Sequence, residues 1–233
     1  MVEIEHLEFD ATENDSKASV HAVLVKITCI EEKAGEMIET IQNVCWLQDL
    51  NPVAFASYKA RAEKTIKKLV ENILTKVTDE LTADFGEFMV SDSAQKALEE
   101  QFSHIKVPLA ELLKEKLSGN PGFDFHTQTH TKLVAFGEAK FSGSINPYKE
   151  ALTQISDFIE LEKDSAELID LSHFVSSEAI EKALQNDKAY VAAFSINSDN
   201  PQKIITNAFN SEYMKALMQH NEIYLVGVCV NDK

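Results

Sequence analysis

Two apolar segments near the C-terminus constrain the fold more than any other feature of the sequence. Residues 189–196 and 222–230 have the length of strands and are apolar enough to be buried. Residues 201–219 between them begin with a proline and have the spacing of a helix. Strand, helix and strand in this order predict a crossover connection onto a mixed sheet. The fold class is therefore predicted as α/β, or α+β under a looser definition, with helices also predicted at 147–161 and 176–185.

The first third of the chain predicts two strands and then a long helix. Residues 2–9 and 18–30 are predicted strands, because β-branched and other apolar residues dominate the second of them. Residues 52–75 begin with a proline and form a predicted helix. No Gly-, Ser- or Pro-rich linker interrupts the chain. We expect residues 1–77 to form an N-terminal accessory and partner-docking region, and residues 78–233 to form the functional core.

The net charge limits how such a chain meets nucleic acid. It carries 38 Asp and Glu against 22 Lys and Arg, a formal net charge of -16. A protein that grips duplex DNA alone usually neutralises phosphates with clustered Lys and Arg. Basic residues concentrate from Lys59 to Lys68, where a helix face would contact DNA, dock a partner or simply face solvent. The charge predicts that a second subunit supplies most of any DNA affinity.

Targeting signals and cysteines indicate a cellular compartment. The sequence has no run of 18 apolar residues, and its first ten residues are acidic, so neither a membrane span nor a signal peptide is predicted. Cys29, Cys45 and Cys229 are odd in number and far apart, which argues against a disulfide framework. We expect a cytoplasmic protein without a membrane partner.

Two short predicted strands suggest a chemistry. Pro121-Gly122 supplies a turn into a strand that carries Asp124, and residues 133–141 form a second strand with Glu138 and Lys140. Side chains alternate along a strand, so Glu138 and Lys140 point the same way. If the strands pair as a hairpin, Asp124 lies near Glu138. Such a set can hold a divalent metal and a water beside a phosphodiester.

The acid-x-Lys triplet alone is weak evidence. About three such triplets are expected by chance, and three occur, of which only Glu138-Ala139-Lys140 lies in an apolar strand. An acid and a lysine on a strand are more often solvated surface charges. A zinc site is a competing hypothesis, because alternation groups Asp124 with His126 and His130, opposite the predicted core residues Phe123 and Phe125. No cysteine pair supports zinc.

A further acid lies upstream. Residues 78–102 have the apolar spacing of a helix, and Glu87 lies beside its apolar stripe. Taken alone, Glu87 is most simply a solvated helix carboxylate.

Together these residues resemble the PD-(D/E)xK nuclease superfamily, whose restriction-endonuclease-like core has the order αβββαβ. The resemblance rests on Gly86-Glu87 in a helix, Gly122-Phe123-Asp124 entering a strand and Glu138-Ala139-Lys140 in the next. The chain departs from the pattern in its proline, which lies three residues before Asp124 rather than directly before it. Within the superfamily the chain looks like the nuclease subunits of the Hachiman antiphage defence system, short acidic proteins paired with a superfamily 2-type helicase.

The resemblance implies a metal site. Asp124, Glu138 and Glu87 would be catalytic and would bind Mg²⁺ or Mn²⁺, with the Ala139 carbonyl as a further oxygen ligand. Lys140 would position or activate the attacking water.

The resemblance also implies a function and a substrate. His126 and Gln154 would contact the substrate. The chain would be a Mg²⁺-dependent deoxyribonuclease, the effector subunit of a two-component antiphage complex with DNA and a helicase as partners. The alternative is a catalytically silent adaptor with the same fold, or an acidic DNA mimic, that binds a DNA-processing enzyme.

Overall fold

The computed structural model of the chain describes residues 2–7, 18–76, 83–113 and 122–230, which are organised around a sheet of mixed direction. Its seven strands lie in the order β1-β2-β7-β6-β5-β4-β3. Strands β2, β7, β6 and β5 are parallel to their neighbours in this series, and the outer pairs are antiparallel. The strands are β1 (Val2–Leu7), β2 (Ser19–Ile27), β3 (Ile105–Lys106), β4 (Phe125–Gln128), β5 (Val134–Lys140), β6 (Ala189–Ile196) and β7 (Glu222–Val230).

Helices cover both faces of this sheet. One buried cluster joins β-strand side chains to α1 and α3, and a second joins the opposite face to α5, α8, α9 and α10. The helices are α1 (Ile30–Gln42), α2 (Pro52–Lys76), α3 (Ala83–Phe102), α4 (Ala110–Leu113), α5 (Tyr148–Glu160), α6 (Lys163–Ala166), α7 (Leu168–Leu171), α8 (Ser177–Leu184), α9 (Pro201–Phe209) and α10 (Glu212–Leu217), with a 3₁₀ helix at Cys45–Asp49.

The α/β class predicted from the apolar segments is confirmed. β6 is buried along its whole length, as expected for a parallel strand covered on both sides. The predicted helix 201–219 is divided in two, because the Ser211 hydroxyl accepts a hydrogen bond from the Met214 amide and caps a new helix. Within the described ranges, no helix is long and apolar enough to cross a membrane.

The N-terminal strands belong to the main sheet, not to a separate layer. β2 pairs in parallel with β7 along its whole length, from Ser19 opposite Glu222 to Ile27 opposite Val230. Residues 22–25 of β2 are buried on both faces, with Leu24 in one cluster and Val25 in the other. A strand that is apolar on both faces is stable only when both are covered. The sheet therefore contains strands from both sides of the predicted boundary between residues 77 and 78, which itself lies outside the described ranges.

The hairpin that carries the predicted site is present. β4 and β5 are antiparallel, with Phe125 opposite Gly137. A Cβ at Gly137 would lie 2.4 Å from the Phe125 ring, so the close approach of this ring to β5 requires glycine. The hairpin turns through residues 129–133, where the Thr129 amide donates to the Leu133 carbonyl.

Candidate active site

Asp124 is held at the entrance to β4 by hydrogen bonds on three sides. Its amide donates to the Gly137 carbonyl at 2.9 Å, and its carbonyl accepts from the Ala110 amide at 3.3 Å. Its carboxylate oxygen Oδ2 accepts from the Ala139 amide at 2.9 Å. The register of the hairpin, continued by one residue, places Asp124 opposite Glu138. The backbone thus fixes the carboxylate of Asp124 beside β5.

Glu138 is a fully buried carboxylate in the middle of the sheet. Its Oε1 accepts a hydrogen bond from Lys140 Nζ at 2.6 Å, whereas Oε2 has no hydrogen-bond partner within the described part of the chain. Burial raises the pKa of Glu138 well above its usual range, the charge of Asp124 raises it further, and Lys140 opposes both. A buried carboxylate oxygen beside a second acid is costly unless a cation or proton completes it.

Lys140 connects the acids. Its Nζ lies 2.6 Å from Glu138 Oε1 and 3.7 Å from Glu87 Oε1, and it donates to the Ala139 carbonyl at 3.2 Å. Burial alone would lower the pKa of Lys140, but the charges of Glu138, Asp124 and Glu87 together raise it. The Lys140 side chain is 19% exposed, so it is closer to solvent than the buried Glu138.

Glu87 reaches the group from α3. Its side chain is 36% exposed and lies within ion-pair distance of Lys140. The approach of α3 to β5 is close, because a Cβ on the preceding Gly86 would lie 2.1 Å from the Phe141 ring. The structure therefore brings together the four residues predicted as catalytic, and we call Glu87, Asp124, Glu138 and Lys140 the acid–lysine group.

The side chains of this group do not form a closed metal cage, but their carboxylate oxygens are the donor type that Mg²⁺ or Mn²⁺ prefers. In the part of the chain that is described, no three His, Cys, Asp or Glu side chains converge tightly enough to hold a metal by themselves. Mg²⁺ in phosphoryl-transfer sites uses one or two carboxylates, water and substrate phosphate. Asp124 and the unpartnered Oε2 of Glu138 provide two such carboxylates, and Glu87 is connected to them through Lys140.

His126 does not lie with the acids. It is fully buried, with Nε2 2.6 Å from Glu167 Oε2 and its ring beside Phe123 and Phe136. The predicted substrate contact and the zinc hypothesis are therefore not supported for His126, because the whole ring is buried and its Nε2 is already paired with Glu167.

The error for His126 concerns burial and not the face of the strand. His126 pairs with Phe136, two residues from Glu138, so it shares a face with the acids but lies inside the core. The alternation fails for Phe123, because residue 124 is a bend and β4 begins only at Phe125. Phe123 and Phe125 are both buried, as predicted, but they lie in the clusters on opposite faces of the sheet. His130, the other proposed zinc ligand, is exposed in the hairpin turn.

Gln154 lies in α5 and is partly exposed. Among the described residues, no hydrogen bond joins its side chain to the acid–lysine group, so its contact with substrate stays a prediction. Glu167, by contrast, lies at this hairpin and was not predicted: its Oε1 accepts from the Phe123 amide at 3.1 Å. It follows α6 in a charged stretch, and only the tertiary fold brings it to residue 123, 44 positions earlier.

Comparison of the chain with protein-family models, with curated proteins and with solved structures gives no match in any of the three. Function is therefore inferred from the geometry of the acid–lysine group.

Proposed function

We propose that the chain is a Mg²⁺-dependent nuclease that hydrolyses DNA phosphodiester bonds at the acid–lysine group. The observation that carries this proposal is the buried Glu138, whose Oε2 lacks a partner in the described ranges while the carboxylate of Asp124 lies beside it and a charged Lys140 lies next to both. Surface charges that only solubilise a strand have no reason to be buried in this way.

The order of elements around the group supports a restriction-endonuclease-like core. The series α3, β3, β4, β5, α5 and β6 follows the αβββαβ order, with α4 inserted after β3 and α6 to α8 inserted before β6. Glu87 lies on the first helix of the series, Asp124 enters its second strand, and Glu138 and Lys140 lie on its third. These are the positions at which the PD-(D/E)xK pattern carries its active-site residues.

The geometry supports a separate task for each residue. Asp124 and Glu138 would hold the divalent ion, which when bound would polarise the scissile phosphate and stabilise its developing charge. The neighbouring carboxylates keep Lys140 protonated, so it would orient the attacking water or the phosphate by donating hydrogen bonds and would not act as a general base. Glu87 would hold the Lys140 ammonium in place.

The charge distribution supports a heteromeric complex with a helicase, as in the Hachiman system. A net charge of -16 repels DNA at long range. The exposed lysines of α2 lie on a helix whose inner residues Ile66, Leu69 and Val70 pack against the cluster that contains Phe88 of α3. The helix with the basic surface, α2, therefore packs beside α3, the helix that carries Glu87. In the proposed complex this surface would meet DNA delivered by a second subunit.

Two observations favour the alternative of a silent adaptor that binds a DNA-processing enzyme. The acidity that repels DNA would suit a protein that mimics it, and two converging carboxylates are fewer than the three predicted as ligands. The buried position of Glu138 beside Asp124 favours the nuclease, because mimicry requires exposed charge.

The proposal is tested by DNA cleavage in Mg²⁺, with the full chain alone and in complex with its helicase subunit. Glu138→Gln and Lys140→Met are compared with Glu150→Gln and Lys203→Met, which change exposed residues on α5 and α9. We expect the first two variants to lose about 10²-fold or more in rate, and the controls to cleave like the unmodified chain. Equal cleavage by all variants, or none by the unmodified complex, would exclude the assigned site.

A further inference from the structure

Glu167 is a buried acid that contacts the chain on both sides of Asp124. It is 7% exposed and lies between α6 and α7. One carboxylate oxygen accepts from the Phe123 amide at 3.1 Å, and the other lies 2.6 Å from His126 Nε2. The contacts fall on the residue before Asp124 and on the second residue after it.

These two contacts of Glu167 matter because Asp124 lies in a bend just before the hydrogen-bonded strand β4 begins. The position of its carboxylate depends on the path of residues 123–126 as well as on the single side-chain hydrogen bond from the Ala139 amide. Without Glu167 the buried Phe123 amide would lose its acceptor, and the segment would have to shift to find another.

We infer that Glu167 and His126 are positioning residues, which set the carboxylate of Asp124 at the distance from Glu138 that a divalent ion requires. The role in catalysis rests on the proposed function, whereas the role in placing Asp124 does not. Residues that orient metal ligands without touching the metal typically change metal affinity or activity by about 10–100-fold when they are removed. A shift of about 1 Å at a reacting group has a comparable effect on rate.

The chain offers a matched control three residues away. Asp164 is 3% exposed, and its Oδ2 accepts from Lys188 Nζ at 2.7 Å and from the Tyr190 hydroxyl at 2.7 Å. Asp164 is as buried as Glu167 and belongs to the same helical segment, but its hydrogen bonds go to Lys188 and Tyr190, and the Tyr190 ring approaches Phe123 only at a centroid distance of 6.3 Å. Asp164→Asn therefore reports the effect of weakening a buried pair without removing a hydrogen bond to residues 123–126.

The test compares Glu167→Ala, Glu167→Gln and Asp164→Asn in the full chain by three measurements. Amide hydrogen exchange at Ala139 reports the Asp124 carboxylate directly, titration with Mn²⁺ reports metal affinity, and DNA cleavage separates kcat from KM. We expect Glu167→Ala to expose the Ala139 amide, to lower Mn²⁺ affinity about 10-fold or more and to lower kcat by a similar factor with little change in KM. Glu167→Gln should recover part of each loss, because its amide oxygen still accepts from Phe123.

Asp164→Asn should lower the unfolding temperature while leaving all three site measurements unchanged. The inference is overturned if Glu167→Ala and Asp164→Asn change the site measurements equally, or if Ala139 stays protected in Glu167→Ala. If Glu167→Ala does not fold, the same comparison is made with Glu167→Gln. A chain that cleaves no DNA contradicts the proposed function alone, because protection of Ala139 still decides whether Glu167 places Asp124.

Discussion

Gly86→Ala tests how closely α3 must approach the end of β5. A Cβ at residue 86 would lie 2.1 Å from two carbons of the Phe141 ring and 2.7 Å from a third. Carbon atoms in ordinary contact are about 3.5–4.0 Å apart, so the helix and the ring must separate by roughly 1.5 Å. Glu87 and Lys140, which adjoin these two residues in sequence, would move apart with them.

The expected magnitude follows from two opposing effects. Replacing glycine by alanine inside a helix stabilises it by about 1 kcal/mol, whereas overpacking a close contact costs about 1–3 kcal/mol. The free energy of unfolding should therefore fall by about 0–2 kcal/mol, which for a chain of this length lowers the melting temperature by at most about 8 °C. The cleavage rate should fall much more, by about 10²-fold, because the displacement exceeds about 1 Å at the acid–lysine group.

Gly35→Ala is the matched control, because Gly35 also lies in a helix and an added Cβ would meet nothing within 4 Å. It should gain up to about 1 kcal/mol and cleave DNA at the unmodified rate. Denaturant unfolding measures both stabilities, and cleavage in Mg²⁺ measures both activities. The reasoning is refuted if Gly86→Ala is stabilised as much as Gly35→Ala and cleaves at the same rate.

Three further predictions concern charge. Burial, with a second carboxylate beside it, raises the pKa of Glu138, so this residue's stabilising contribution is full at low pH and is lost as pH rises through the folded-state pKa. Glu138→Gln should therefore make the metal-free chain more stable to denaturant at pH 8 but not at pH 4. An equal effect of the substitution at both pH values would refute this. Burial lowers the pKa of His104 to about 4, so this residue's contribution to the free energy of unfolding is full above pH 6.5 and should fall by about 3 kcal/mol as pH drops to about 4. In acid unfolding, His104→Gln should flatten that part of the plot of stability against pH. Changing Lys64, Lys67 and Lys68 together to Gln should lower the slope of log DNA affinity against log salt by about 2–3 in the complex, whereas unchanged binding would show that this face of α2 does not contact phosphate.

The site hairpin was predictable because its signals are local. A proline-glycine turn, a period of two and a pair of apolar segments fix which residues of neighbouring strands face each other. Asp124 and Glu138 are brought together by this register alone. The same rule gave the face of His126, which pairs with Phe136 two residues from Glu138, but it does not predict burial: the ring is fully buried and paired with Glu167.

Features that depend on distant residues were not predictable. β2 was recognised as a strand, but its pairing with β7 joins Ser19 to Glu222, and local pattern does not specify a partner so far along the chain. Glu167 has no sequence signal for the same reason, since its acceptor role exists only when the residue between α6 and α7 reaches residues 123 and 126. Local pattern thus located the acids of the proposed site, and tertiary packing determined what holds them.

Calorimetric titration with Mn²⁺ measures whether Asp124 and Glu138 hold one divalent ion, as proposed. The full chain should bind Mn²⁺, and Glu138→Gln should lower the affinity at least 10-fold, because the buried Oε2 is lost as a ligand. Glu150→Gln, on the exposed side of α5, should bind like the unmodified chain. Binding of equal strength in Glu138→Gln, or no binding by the unmodified chain, would show that these two acids do not hold the ion.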